Sequence, residues 1–410
     1  MGDGIIIVGG GHGGSQVAAS LREAGYDGPL ALVSAEREVP YQRPPLSKAF
    51  LKDPVHDLLP LRPASFYEKH AVDLRLGAEA VAIDRVGRRL TLKDGTTLPF
   101  DRLALATGSR PRLPPIERIG LDGVLGLREA EDARRLRTAL HAATDVVVVG
   151  GGFIGLEIAA TARLLGKTVT VLEAADRLMG RVVAPDISRY FLDRHRAWGS
   201  DIRLGTPVGG ILGDTGRATA VTTAAGERIP ADLVVVGIGV LPNVELGIAA
   251  GLAAENGLLV DDFMTTSAPE IVAIGDCVAF HQVARGRRIR LESVQNAVDQ
   301  AKTAAHTLLG RGAPYREVPW FWSDQGDLKL QMVGLPFGAT RNVVRGDPAD
   351  GAFSVFHYAE ERLVAVDSVN RAGDHMVGRR LLAAGLSPAP EGVSDPLVDL
   401  KSLLPKPARA

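Results

Sequence analysis

Apolar and glycine-rich positions follow one pattern twice along the chain. Ile5-Ile6-Ile7-Val8 is a continuous apolar run, followed by Gly9-Gly10-Gly11-His12-Gly13-Gly14, a helically spaced apolar pattern to Gly25, and a second run from Pro29 to Val33. Val146 to Val149 leads in the same way into Gly150-Gly151-Gly152-Phe153-Ile154-Gly155, a helical pattern to Gly166, and Thr168 to Leu172. Short apolar runs bounded by turn residues predict buried strands, and a spacing of three to four predicts a helix between them. Each segment therefore reads as a βαβ unit with parallel strands.

Other glycine landmarks end further predicted strands: Leu103 to Leu105 before Ala106-Thr107-Gly108, Leu233 to Val236 before Gly237-Ile238-Gly239, and Ile271 to Ile274 before Gly275-Asp276. Arg110 to Pro115 reads as a proline-rich linker. Residues 319–371 alternate as strands with Gly and Pro turns, Asp374 to Leu382 reads as a helix, and residues 391–410 are Pro-rich and predicted mostly irregular.

Composition narrows the class. Glycine is 47 of 410 residues, above the roughly 7% of average chains. With no Gly-X-Y period and 46% hydrophobic residues, the surplus belongs to tight turns and close backbone approaches rather than to collagen or disorder. The length predicts two to four domains, on the basis of roughly 100–200 residues each. A single cysteine excludes an internal disulfide, a Cys-x-x-Cys centre and a cysteine zinc site. The balance of 47 basic and 48 acidic residues gives no global reason to bind nucleic acid or an acidic membrane. Val146 to Gly166 is apolar, but Glu157, Arg163 and the glycine cluster mark it as strand, turn and helix rather than a membrane span. The chain starts almost directly on a strand without a charged leader, so a cytoplasmic protein is expected.

Both glycine clusters match Gly-x-Gly-x-x-Gly, at Gly9, Gly11, Gly14 and at Gly150, Gly152, Gly155. The first glycine makes the tight turn, the second lets backbone approach a pyrophosphate, and the third allows close helix–strand packing. Glu173 stands at the end of the second strand of the later unit, where a carboxylate can accept from both ribose hydroxyls and repel a 2′-phosphate. The earlier unit has Ser34-Ala35-Glu36 at that place, leaving Glu36 as its acidic candidate. Two dinucleotide sites imply electrons passing between two carriers, one of them a flavin.

Specific segments then carry a resemblance. Pro40-Tyr41-Gln42-Arg43-Pro44-Pro45-Leu46-Ser47-Lys48, Ala106-Thr107-Gly108, Gly150 to Glu157, Gly275-Asp276-Cys277, Glu292-Ser293-Val294-Gln295-Asn296-Ala297, Trp320-Phe321-Trp322-Ser323-Asp324-Gln325 and Val366-Asp367-Ser368-Val369-Asn370-Arg371 span nearly the whole chain. Together they resemble the FAD- and NADH-dependent ferredoxin reductases of the putidaredoxin reductase and ring-hydroxylating oxygenase type. The resemblance implies a glutathione-reductase-like α/β fold with two Rossmann-type domains and a C-terminal α/β domain. Its segments would be a split FAD domain (1–111 and 241–318), an NAD domain (112–240) and a C-terminal domain (319–410). It implies that NADH gives a hydride to FAD, and that single electrons pass to a small [2Fe–2S] ferredoxin serving a cytochrome P450 or dioxygenase. A monomer or weak dimer is expected.

Carried over by position, the FAD candidates are Gly9, Gly11, Gly13, Gly14, Glu36, Arg43, Lys48, Val81, Ala106, Thr107, Gly108, Arg128, Asp276, Val294 and Trp322. The NAD candidates are Gly150, Gly152, Phe153, Ile154, Gly155, Glu157, Glu173 and Gly239. Lys48 and Glu157 are the candidate catalytic pair, Lys48 stabilising negative charge on the reduced ring and Glu157 beside the nicotinamide. Ordinary roles stay open for both: a solvent-facing lysine after Pro44-Pro45, and an acidic side chain in a helix's first turn. Cys277 reads as a buried, inert thiol. No protein-bound metal is expected, the iron being the partner's. For an acidic ferredoxin the basic candidates are Arg62, Arg285, Arg287, Arg288, Arg290, Lys302, Arg341 and Arg345, with a solvated hairpin tip as the alternative for the arginine run. An NADH oxidase, a rubredoxin or quinone reductase, or an apoptosis-inducing-factor-like signalling flavoprotein would use the same scaffold.

Overall fold

The computed structural model describes residues 3–117, 119–282 and 286–405. Its backbone forms two units, one of Met1–Arg43, Asp57–Arg110 and Val240–Glu317, the other of Pro44–His56, Pro111–Gly239 and Val318–Ala410.

In the first unit, Ile5–Val8 is buried along its whole length and pairs in parallel with Leu30–Val33 on one side and Arg102–Leu105 on the other. The five-stranded sheet runs Ile271–Ala273, Arg102–Leu105, Ile5–Val8, Leu30–Val33, Val72–Arg75. An all-apolar strand suits a parallel sheet covered on both faces. The helices His12–Glu23 and Val294–Leu308 pack against each other in this unit. Ser293 caps the second of these, its side chain accepting from Asn296 N. The order of strands reverses between Ile5–Val8 and Arg102–Leu105, so the ends of these two strands, Val8 and Leu105, flank a topological switch point.

The second unit repeats the design. Its parallel sheet runs Asp201–Arg203, Thr168–Leu172, Asp145–Val149, Leu233–Val236, Val124–Leu125, with the reversal between Asp145–Val149 and Leu233–Val236. A three-stranded antiparallel sheet, Val208–Asp214, Arg217–Thr223 and Arg228–Pro230, shares its core with Val147, Val149, Val234 and Val236. Residues Val318 onward form a five-stranded antiparallel sheet ordered Trp320–Gln325, Leu328–Gly334, Arg362–Val369, Ala352–Ala359, Arg341–Asp347. The helix Ala372–Ala383 packs on it, burying Val377 and Leu381 against Val333, Phe356 and Val366.

In the segment 391–410, predicted mostly irregular, the described residues 391–405 include part of the short helix Pro390–Ser394 and the 3-10 turn Leu400–Leu403. Pro390 presets the first helical position and the Asp399 side chain accepts from Lys401 N, while Val393 and Leu400 are buried in the sheet's core. A helix this short has no periodicity to read.

Candidate functional site

The two glycine turns occupy the two switch points. In the first, Gly9 has φ +117°, and a side chain there would meet Ala106 O at 2.2 Å; one on Gly14 would meet Gly9 O at 1.9 Å, and one on Gly13 would meet Ile274 Cδ1 at 2.9 Å. In the second, a side chain on Gly150 (φ +108°) would meet Gly237 O at 2.5 Å, and one on Gly155 would meet Gly150 O at 2.3 Å. Protein packing therefore explains the outer glycines. It does not explain the middle ones, because the nearest atom is 4.0 Å away at Gly11 and 3.9 Å away at Gly152. Both are N-caps, of His12–Glu23 and Phe153–Leu164, without a side-chain cap and without an acidic residue in the first turn. Helix N-termini without a side-chain cap, behind an open glycine, suit a pyrophosphate. The residues fit a dinucleotide at each turn.

The two acidic candidates are held differently. Glu173 accepts from Gly151 N at 2.6 Å and from Ala175 N at 2.8 Å, fixing its carboxylate at the second turn. Glu36 is engaged by the Arg43 guanidinium and the Tyr41 hydroxyl, with Arg43 lying over the Tyr41 ring.

Lys48 and Glu157 meet within the second unit. Lys48 Nζ donates to Glu157 Oε2 at 2.6 Å and to Pro44 O at 3.0 Å, Ser47 Oγ donates to the same Oε2, and Ser323 Oγ donates to Oε1 at 2.7 Å. The Glu157 side chain is 6% exposed and that of Lys48 22%. Neither side chain is simply solvated, although Lys48 does stand at a helix start, as the N-cap of Ala49–Lys52. Lys48 turns onto a buried acid, and Glu157 sits in the second turn of a helix whose first turn holds no acid. Thr161 Oγ1 donates to Ser47 O at 3.1 Å, tying the turn Pro44–Ser47 to the helix that carries Glu157. Removing one partner of such a pair leaves a buried charge uncompensated, at about 3–5 kcal/mol.

The remaining candidates fall in both units. In the first, Ala106 N donates to Val8 O, Thr107 Oγ1 donates to Asn243 O at 2.7 Å, Gly108 has φ +67°, and Asp276 accepts from Ser109 Oγ at 2.9 Å. Val294 opens the helix Val294–Leu308, and Val81 lies on the strand Ala80–Asp84 with its side chain 45% exposed. In the second, Phe153 packs on Phe321 at 4.8 Å between centroids, Ile154 is exposed, and Trp322 is half-buried 5.5 Å from Trp320. Arg128 is half-buried, its N–H donating to Asp132. Gly239 has φ +102°, and a side chain there would lie 3.3 Å from Arg181 Nη2. Cys277 is wholly buried with Sγ 3.2 Å from Ile274 O, and burial pushes its thiol pKa up, as an inert thiol requires.

Ser47, Ser323, Gln325, Asn243 and Arg181 were not singled out from sequence. Ser47, Ser323 and Gln325 do lie inside segments that carry the resemblance, but serine and glutamine have no spacing signature of their own.

The basic candidates are mostly paired. Arg288 meets Glu255 at 3.3 Å, Lys302 meets Asp299 at 3.0 Å and Arg341 meets Glu391 at 3.3 Å. Arg287 is exposed on the strand Arg287–Ile289. Arg62 donates to Ser15 and Gln16 and covers the Phe66 ring. Arg285 lies outside the described residues. Two expectations are corrected. Arg345 is 6% exposed and donates to the carbonyls of Val393, Asp395 and Val398, so it ties down the C-terminal segment instead of facing a partner. Arg290 is 10% exposed and turned onto Glu292 and Asp276 O.

Comparison with known proteins agrees with this architecture. The chain matches the family model described as pyridine nucleotide-disulphide oxidoreductase over residues 3–301, and the reductase C-terminal model over 320–404. It belongs to this family, in its FAD- and NAD(H)-dependent ferredoxin reductase branch, with the glutathione-reductase-like fold. It is 47% identical to rhodocoxin reductase of Rhodococcus erythropolis, over 97% of this chain and 93% of that protein. Among solved structures it resembles the ferredoxin reductase for the CYP199A2 system from Rhodopseudomonas palustris, with a TM-score of 0.95 and 47% identity over 98% of this chain and 99% of that one. It also resembles putidaredoxin reductase in its covalent complex with putidaredoxin, with a TM-score of 0.94 and 42% identity over 98% and 97%. No helix among the described residues is long and apolar enough to cross a membrane.

Proposed function

We propose that the chain is an NADH:ferredoxin oxidoreductase, taking electrons from NADH through FAD to a small [2Fe–2S] ferredoxin that serves a cytochrome P450 or ring-hydroxylating oxygenase. The observation that carries this reading is the pair of open glycine turns at two switch points, with the buried Lys48–Glu157 pair in the second unit. The match to a reductase solved together with its ferredoxin supports the partner class.

Bound FAD supplies the conversion of a two-electron hydride into single electrons. In this reading the N-terminus of His12–Glu23 with Gly9, Gly11, Gly13 and Gly14 holds the FAD pyrophosphate. Ala106, Thr107, Gly108, Asp276, Glu36, Arg43, Val81, Arg128, Val294 and Trp322 are its further contacts. The N-terminus of Phe153–Leu164 with Gly150, Gly152 and Gly155 holds NADH, assisted by Phe153, Ile154 and Gly239. Glu173, fixed by Gly151 N and Ala175 N, binds the ribose hydroxyls and excludes a 2′-phosphate. Lys48 presents a cation to charge developing on the flavin ring, and Glu157 holds Lys48 in place. The domain assignment is FAD for 1–111 and 241–318, NAD for 112–240, and a C-terminal domain for 319–410. Arg287, Arg288, Lys302 and Arg341 are the candidate ferredoxin-facing cations.

Stopped-flow reduction of the FAD-loaded protein, followed by turnover with a [2Fe–2S] ferredoxin, a rubredoxin, a quinone and oxygen, tests the reading. Fast reduction by NADH, slow reduction by NADPH and preferred turnover with a ferredoxin are expected. Equal rates with both nucleotides would remove the Glu173 argument, and rapid oxygen consumption with idle ferredoxins would point to an oxidase.

A further inference from the structure

Glu157 ends a longer chain of polar side chains, all inside the second unit. Ser323 Oγ donates to Glu157 Oε1 at 2.7 Å, Gln325 Nε2 donates to Ser323 Oγ at 3.2 Å, and Gln325 Oε1 faces His195 Nε2 at 2.8 Å. Ser323 and Gln325 occupy alternate positions of the strand Trp320–Gln325, so both project from one face of the sheet. His195 comes from the last turn of the helix Pro185–Ala197, with its ring edge-on to Trp198. All three side chains are wholly buried. A hydroxyl, an amide and an imidazole placed together in a core are costly unless each is bonded, and apolar side chains would fill the same space at lower cost.

The direction of every bond in the chain follows from its end. An ionised carboxylate only accepts, so the Ser323 hydroxyl must point at Glu157. The Ser323 oxygen then accepts from Gln325 Nε2, which also lies 3.8 Å from Met179 Sδ. That orientation turns Gln325 Oε1 to His195, and an amide oxygen only accepts, so His195 donates from Nε2. A neutral imidazole protonated at Nε2 is bare at Nδ1, and His195 Nδ1 has no hydrogen-bond partner among the described residues. Burial also lowers the His195 pKa, which favours this neutral ring. The amide cannot reverse the chain without flipping, so the chain is a lock and no proton crosses it.

We propose that His195, Gln325 and Ser323 are positioning residues that act as one unit to fix Glu157 against Lys48, and that the one-way chain pins His195 in its Nε2–H tautomer. Each carboxylate oxygen then has its own donors, Ser323 on Oε1 and Lys48 with Ser47 on Oε2, so Glu157 cannot rotate away. The inference rests on the reading of Lys48 and Glu157 as the pair beside the reacting rings.

The test uses the FAD-loaded protein labelled with ¹⁵N-histidine, with His195→Gln identifying the resonance. The wild-type spectrum should show His195 neutral with its proton on Nε2 throughout about pH 6–8, the range in which an ordinary histidine titrates. In Ser323→Ala the amide is free to flip and the tautomer preference should be lost. Reduction by NADH in the same variant should slow by about tenfold or more, the fold-change of losing a hydrogen bond to a charged group, with NADH affinity changed less than about twofold. Ser323→Thr keeps the hydroxyl and should restore both readouts. Gln325→Leu should repeat both losses if Ser323→Ala fails to fold. A charged or Nδ1–H His195 in the wild type, or wild-type reduction rates in Ser323→Ala and Gln325→Leu, would overturn the proposal. Wild-type rates in Glu157→Gln would instead overturn the reading of the Lys48–Glu157 pair, leaving the tautomer measurement to decide the chain.

Discussion

At the scale of single residues, the glycines were the most legible feature, because the chemistry at those positions admits nothing else. The structure separates two reasons for them. Gly155 is a packing glycine, with Gly150 O 2.3 Å from where a side chain would begin, whereas Gly152 faces open space. We expect Gly155→Ala to lower stability by about 1–3 kcal/mol, the cost of overpacking, and to lower Tm with or without NAD⁺. Gly152→Ala should leave the Tm without NAD⁺ unchanged and abolish most of the upward shift that NAD⁺ produces. Thermal unfolding of both FAD-loaded variants, with and without NAD⁺, checks the contrast. Lys48 and Glu157 were nameable by resemblance, but their pairing was not. The two are held together by the fold, and nothing local in either segment points to the other, nor to Ser323 on a third element.

At the scale of elements, both βαβ units were legible because a four- or five-residue apolar run and a glycine turn are strong local signals. The strands that complete each switch point, Arg102–Leu105 and Leu233–Val236, were visible as strands but not as neighbours, since parallel pairing is decided by tertiary packing. The C-terminal elements show a further limit, as Arg345 looked like a surface cation and is a buried tie. Its guanidinium holds four carbonyls between Val393 and Val398. Arg345→Leu should therefore release this segment and speed limited proteolysis near Leu397, which is already 92% exposed. NADH-driven quinone reduction should be unaffected, and mass spectrometry of the cleavage products would check the site. The helix Ala372–Ala383 carries a pH effect. Burial and the Arg379 charge lower His375 to about 4, and neither ring nitrogen has a partner among the described residues. Between pH 6.5 and about 4 the unfolded chain binds this proton and the folded chain does not, so stability falls as pH drops through that window. The effect is on the order of 3 kcal/mol. Urea unfolding of the wild type and His375→Leu across that range should show a steeper pH slope in the wild type.

At the scale of the whole molecule, a net charge of −1 gives no overall field to draw in an acidic partner. Steering must then come from local cations, and most of the basic candidates already have acidic neighbours, as Arg288 has Glu255 and Lys302 has Asp299. A pair exposed on both sides, as Arg288–Glu255 is, contributes little to stability, about 0–1 kcal/mol, so Arg288 is available to exchange partners at low cost. Sequence alone could list such cations but not their neighbours, which is why Arg290 and Arg345 stood beside Arg287 and Arg288 until burial separated them. If Arg287 and Arg288 guide the ferredoxin, kcat/KM for ferredoxin should fall several-fold as salt is raised from about 0.05 to 0.5 M, where the screening length shrinks below about 5 Å. The double variant Arg287→Ala, Arg288→Ala should lower that value at low salt and flatten its salt dependence, with kcat at saturating ferredoxin unchanged. Turnover with a neutral quinone should be the same in both proteins at every salt concentration, because it needs NADH and the flavin but no charged partner. A salt slope that survives the double substitution would move the docking surface elsewhere, with Lys302 and Arg341 the next positions to replace.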